Sequence, residues 1–126
     1  MTWLVTPATL RRMAPRDTTI SQLRRGVLEF CVLALLREGE RYSFDLVRAL
    51  GDVDGLVTSE GTLYPLLGRL RREGLVESMW RESSAGPPRR YYTITPDGDA
   101  TLRTFAAQWS RFRDSVDSLL AQGATA

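Results

Sequence analysis

Residues 75–95 carry the sustained strand character of this chain, and the segments on either side have helical apolar spacing. LVESMWRE alternates Leu75, Glu77, Met79 and Arg81 with Val76, Ser78, Trp80 and Glu82. RRYYTIT follows with aromatic and β-branched residues, and the intervening SSAGPP consists of turn formers. This pattern predicts a β-hairpin with Arg89 and Arg90 at the base of its tip. An isolated hairpin is marginal in water and needs a body to pack on. The fold class expected is therefore mainly α with a small β-hairpin.

Three helices are predicted ahead of the hairpin. From Ser21 to Arg37 the chain is apolar nearly all round after Gly26 (VLEFCVLALL), as in a helix buried in the domain or between subunits, and Gly39 stops it. Ser43 is placed to cap a short second helix, with Asp45 in its first turn and Leu46, Val47 and Leu50 on its apolar face. GDVDGL forms a turn, and Thr58 or Ser59 caps a third helix that ends at Gly74. Leu63, Leu66, Leu67 and Leu70 lay one stripe of that helix on the core. The other face carries Glu60, Tyr64, Gly68, Arg71 and Arg72, with Thr62 and Arg69 at the flanks. Pro65 lacks an N–H for residue 61, which predicts an irregular first turn.

After the hairpin, Thr95 caps and Pro96 opens a last helix, with Asp97 and Asp99 favouring its N-terminal dipole. Leu102, Phe105, Trp109, Phe112, Val116 and Leu119 recur at alternating intervals of three and four. This seam is too short for a free coiled coil and too aromatic for a slim zipper, so it is expected to pack on a partner helix and on the body.

The 126 residues suffice for one compact domain, and 43% hydrophobic against 25% charged residues excludes global disorder. All seventeen basic residues are arginine, which coding bias in a GC-rich genome explains most simply. Whatever its origin, the guanidinium fork suits phosphate and guanine edges. Histidine is absent and Cys31 stands alone, so a metal cage, imidazole catalysis and a disulfide all lack their ligands. No enzyme, metal or cofactor is expected, and a reducing cytoplasm is the expected location. The apolar run Val27–Leu36 is far short of the roughly 20 residues that span a bilayer. Residues 1–20 read as a flexible basic arm, and a start at Met13 would put residues 1–12 outside the native chain. The expected organisation is thus an arm over 1–20, a DNA-binding domain over 21–95, a dimerisation helix over 96–122 and a disordered tail over 123–126.

Three helices followed by a hairpin is the order of a winged helix-turn-helix. The major groove admits one helix, and the third offers it Thr62, Tyr64, Arg69, Arg71 and Arg72. Ser59, Tyr64 and the helix N-terminus are expected at phosphates, and Arg89 and Arg90 on the wing. A winged-helix protein-interaction module without specific DNA binding is the alternative reading.

EGTLYPLLGRLRREGLVES and GPPRRYYTITPDGDATL resemble the signature of PadR-like transcriptional regulators, over roughly residues 22–120. The resemblance implies a homodimeric repressor whose N- and C-terminal helices, with Phe30 and the seam residues, build the interface. It implies binding to palindromic promoter sites in double-stranded DNA and release by small aromatic, cationic or drug-like effectors. Tyr64 of TLYP carries over as a backbone contact and PPRRYY as the wing, with Tyr91 and Tyr92 on opposite faces. The single short last helix resembles the family's small branch, in which a tryptophan at the position of Trp109 stacks planar ligands; plain dimer packing is the competing role for it. Phe105 and Phe112 would line the same space, and Glu29 or Asp114 would counter a cationic ligand.

Overall fold

The computed structural model describes residues 15–53 and 55–125. In chain order the elements are α1 (Pro15–Glu38), β1 (Arg41–Tyr42), α2 (Ser43–Gly51), α3 (Glu60–Arg72), β2 (Val76–Ser83), β3 (Gly86–Ile94) and α4 (Pro96–Thr125). Residues 1–14 of the expected arm, with the alternative start at Met13, lie outside the described residues. From Pro15 the backbone is helical, and α4 continues to Thr125, past the expected boundary at 122.

One leucine-rich core joins every layer. Leu28, Val32, Leu33 and Leu36 of α1 meet Leu46 and Leu50 of α2, the stripe Leu63, Leu67 and Leu70 of α3, Val76 and Tyr92 of the sheet, and Leu102 of α4. Leu66 packs against the edge of this cluster. Fully burying a leucine side chain contributes about 1.5–3 kcal/mol, so this cluster is the principal source of stability.

The helix ends follow their local chemistry. Ser59 caps α3, its Oγ accepting from the Thr62 backbone N–H at 3.2 Å. At the other end Gly74 takes φ +77°, its N–H reaches the Arg71 carbonyl, and the Leu75 N–H reaches the Leu70 carbonyl, a paired closure that an αL glycine permits. The helix runs unbroken through Pro65. Thr95 is doubly used: its Oγ1 accepts from the Gly98 N–H at 3.0 Å and donates to the Gly74 carbonyl at 2.7 Å. The cap of α4 is thereby tied to the end of α3.

The expected hairpin is one part of a three-stranded antiparallel sheet of order β1-β3-β2. β1 pairs Arg41 with Tyr92 and Tyr42 with Tyr91. Its two residues have no readable period, so only the partner strand reveals it. Pairing holds Tyr42 in extended backbone as the N-cap residue of α2 with no side-chain cap, and Ser43 becomes the first helical residue instead of the cap expected of it. The tip also differs from expectation. Gly86, Pro87 and Pro88 belong to β3, leaving only Ser84 and Ala85 at the turn. The register shifts between Arg81 and Ser83, so Pro87 and Pro88 stand opposite Glu82, where a bulge tolerates their missing N–H groups.

Candidate nucleic-acid interface

α2 and α3 are joined by a turn in which Gly55 takes φ +84° and the Arg24 Nε of α1 donates to its carbonyl at 2.9 Å. With the leucine stripe of α3 turned inward, the residues left divide between two flanks. Glu60, Tyr64, Gly68 and Arg71 recur at helical spacing toward the sheet, while Thr62, Pro65, Arg69 and Arg72 recur toward α1.

The sheet-side flank is one wall of a concavity, and the hairpin is the other. Tyr64, Gly68 and Arg71 face Trp80, Arg89 and Arg90 across it, and Glu60 is its one carboxylate. Opposite residues of an antiparallel pair share a face, so the register Ser78↔Tyr92 and Trp80↔Arg90 carries the face that holds Tyr92 outward to the wing. Tyr92 is the core tyrosine of the pair left open by alternation, and Tyr91 packs on the other side against Tyr42 with ring centroids 5.4 Å apart.

Each wing arginine lies over an aromatic ring. The guanidinium of Arg90 is 4.9 Å from the Trp80 centroid and that of Arg89 is 4.6 Å from Tyr42. Arg81, 5.5 Å over Tyr91, also pairs with Glu40 at 2.8 Å, which fastens β2 to the approach of β1. Stacking fixes the plane of a guanidinium while leaving its outer N–H groups for an anion. The Nε of Arg90 is buried without a hydrogen-bond partner. Trp80, 62% exposed, had only its alternation to mark it in sequence.

Tyr64 is positioned by a residue with another expected role. Ser43, 5% exposed, donates from Oγ to the Tyr64 hydroxyl oxygen at 3.1 Å. With Ser43 as donor, the phenolic hydrogen remains available to an acceptor in the concavity.

Other predicted residues are engaged elsewhere. Ser59 Oγ also donates to Thr62 Oγ1 at 3.2 Å, so both hydroxyls serve the helix start. Arg69 bridges Glu73 at 3.2 Å and Glu29 at 3.4 Å; the hydrogen bond to Glu73 leads in holding its guanidinium protonated above the ordinary arginine value. Glu29 is thus occupied, and Asp114 pairs with Arg113 at 3.1 Å, so neither expected counter-ion for a cationic ligand is free of a cation of its own. Burial pushes the Cys31 thiol up, away from the thiolate form.

The expected pairing seam divides along α4. Leu102, 6% exposed, belongs to the chain's own core, which withdraws it from the expected dimer surface. Phe105 stacks on Phe30 of α1 at 3.8 Å, Trp109 follows at 5.8 Å from Phe105, and Phe112 at 6.1 Å from Trp109. This aromatic ladder leads away from the body: Trp109 is 37% exposed and Phe112 60%. Val116 is partly covered, and Leu119 is exposed beside Leu120, which extends the stripe.

Three packed helices, of which α2 and α3 form a helix-turn-helix, together with a basic β-ribbon beside α3, define a winged helix-turn-helix protein. A family model described as the transcriptional regulator PadR-like family matches residues 32–104, more than half of the chain. The chain belongs to the PadR-like family of transcriptional regulators, DNA-binding proteins of this fold. A PadR family transcriptional regulator from Eggerthella lenta is similar, with a TM-score of 0.77 and 38% identity over 88% of this chain and 96% of that one. A PadR-like transcriptional regulator from Bacillus cereus has a TM-score of 0.71 and 38% identity over 79% of this chain and 96% of that one. Among curated proteins, an uncharacterized protein of Lysinibacillus sphaericus is 28% identical over 99 residues, 77% of this chain and 91% of the relative.

Proposed function

We propose that the chain is a sequence-specific repressor that binds a palindromic promoter site as a homodimer and releases it on binding a small planar effector. The observation that carries the DNA-binding part is the concavity between α3 and the wing, where Tyr64, Arg71, Arg89 and Arg90 converge. With α3 in the major groove, those donors meet the sugar-phosphate backbone beside it, and Thr62 and Arg72 lie nearer the bases. The exposed ladder of α4 supports a second copy as its partner, because an apolar stripe on a projecting helix needs covering. A groove lined by Phe30, Thr101, Thr104, Phe105 and Gln108 lies at the root of that ladder and supports an aromatic effector.

The test is fluorescence anisotropy against the gene's own upstream duplex, with scrambled duplex as competitor, over a salt series. Salt-sensitive binding that resists the competitor is expected. Replacing Arg71 and Arg90 together by glutamine is expected to reduce the salt slope by about two, since each lost phosphate contact removes about one. An unchanged slope would overturn the DNA-facing assignment and favour a protein-docking role. Trp quenching by planar compounds, accompanied by DNA release, tests the effector.

Ser43→Ala is expected to weaken specific binding several-fold, the worth of a hydrogen bond of about 1 kcal/mol that orients Tyr64. Thermal stability should change little, because the freed tyrosine hydroxyl is exposed and can hydrate. Unchanged affinity in the same titration would remove the Ser43–Tyr64 pair from the interface.

A further inference from the structure

Most of the described arginines of this chain fall into two groups, one paired with acids and one lining the grooves beside α3. Arg37 and Arg103 share Asp99, Arg41 pairs with Glu38, Arg69 with Glu29 and Glu73, Arg81 with Glu40, and Arg113 with Asp114, all within 3.4 Å. Among the described residues, eight arginines make no carboxylate pair: Arg48 lies over Phe44 on α2 and Arg111 is exposed on α4, while Arg24, Arg25, Arg71, Arg72, Arg89 and Arg90 all line the two grooves that flank α3. Arg71, Arg89 and Arg90 line the wing-side groove already discussed.

The other three line the groove on the opposite side, between the middle of α1 and the length of α3. Arg24 and Arg25 of α1 stand there with Ser21, Thr58, Thr62 and Arg72, and no carboxylate is among the lining residues. Arg69 also borders it, with its charge already matched by Glu29 and Glu73. Arg24 is oriented by its Nε bond to the Gly55 carbonyl, which leaves its terminal N–H groups for another acceptor. Arginine forks among short hydroxyls, without a competing acid, form a surface complementary to phosphate.

We propose that this groove is a second DNA-backbone seat, in which Arg24 and Arg25 of α1 hold the strand opposite to the one gripped by the wing. The inference rests on the reading of α3 as the recognition helix. A helix lying in a major groove about 12 Å wide has one sugar-phosphate backbone on each side. The wing groove accounts for one of them, and the α1 groove lies where the other must pass. The first helix is thereby a DNA-contacting element as well as part of the core.

Arg25→Gln is the primary variant, because Arg24 also holds the turn at Gly55; Arg24→Gln/Arg25→Gln is the second, with melting temperature as the check on folding. Both are titrated by anisotropy against the upstream duplex and a scrambled duplex over a salt series. The expected result is a slope reduced by about one for the single and about two for the double variant, with equal weakening on both duplexes. Phosphate ethylation interference, read within each half-site of the palindrome, should lose signal on one strand, while Arg90→Gln loses it on the other strand of the same half-site. Wild-type binding with unchanged slopes in both variants, or loss within a half-site on the strand contacted there by the wing, overturns this inference alone. A wild type that binds no duplex overturns the DNA-binding reading and this one with it.

Discussion

Gly98→Ala is expected to destabilise the protein by about 3 kcal/mol or more, although the residue it creates is the better helix former. A Cβ at this position would run into the backbone carbonyl of Leu75, and it would lie 2.8 Å from Ile94 Cγ1. Neither can yield cheaply. The Leu75 carbonyl accepts the Thr95 N–H at 3.1 Å, and the Leu75 N–H belongs to the closure of α3. Relief would therefore pull apart the junction where α3 ends, β3 ends and α4 begins. At about 4–8 °C per kcal/mol for a domain near this size, the melting temperature should fall by more than 10 °C. Gly26→Ala supplies the contrast, since nothing lies within 4 Å of its added Cβ in the middle of α1. That change should stabilise by about 0.5–1 kcal/mol. Equal melting temperatures for wild type and Gly98→Ala would show that the close approach at Leu75 relaxes without cost.

Trp109→Glu is expected to convert the proposed dimer to monomer. In the single chain Trp109 links Phe105 to Phe112, and the apolar stripe continues through Leu119 and Leu120. Covering that stripe with a second copy would bury two glutamates per dimer among aromatic rings. An unpaired buried carboxylate costs several kcal/mol even after relaxation. Each 1.4 kcal/mol is tenfold in the association constant, so loss by several orders of magnitude follows. Because Trp109 is partly exposed in the monomer, the fold itself should survive, with an unchanged helical circular dichroism spectrum. Sedimentation velocity reads the outcome, and Trp109→Phe should remain dimeric. A glutamate variant that sediments as a full dimer removes Trp109 from the interface.

Much of the site was legible because its signals are local. Ser59 before the leucine stripe, Gly74 after it and Thr95 before Pro96 each act on backbone groups within a few residues, and all three serve the ends they announced. The alternation of 75–82 placed Trp80 and Ser78 on one face correctly. Arg69 illustrates the limit. Its helical position puts it beside Arg72, yet Glu29, forty residues earlier in the chain, takes up its charge, and no spacing rule announces that pair. Ser43 shows the same limit from the other side: a cap residue by local rules, it was moved one position into the helix by a strand of two residues.

Periodicity, caps and turn chemistry in the sequence alone determined the helical body, the ribbon, their order and the inward stripe of α3, since each depends on neighbours along the chain. Tertiary structure decided what those elements do to one another. It added β1 to the sheet and drew Leu102 from the pairing seam into the core. It turned Ser43 toward Tyr64 and matched six arginines with acids, while six of the eight described arginines left unmatched line the grooves beside α3. The physical reason is range: a hydrogen bond within a turn is encoded by adjacent residues, whereas a charge is matched or left open by whatever the fold brings to within a few ångströms of it.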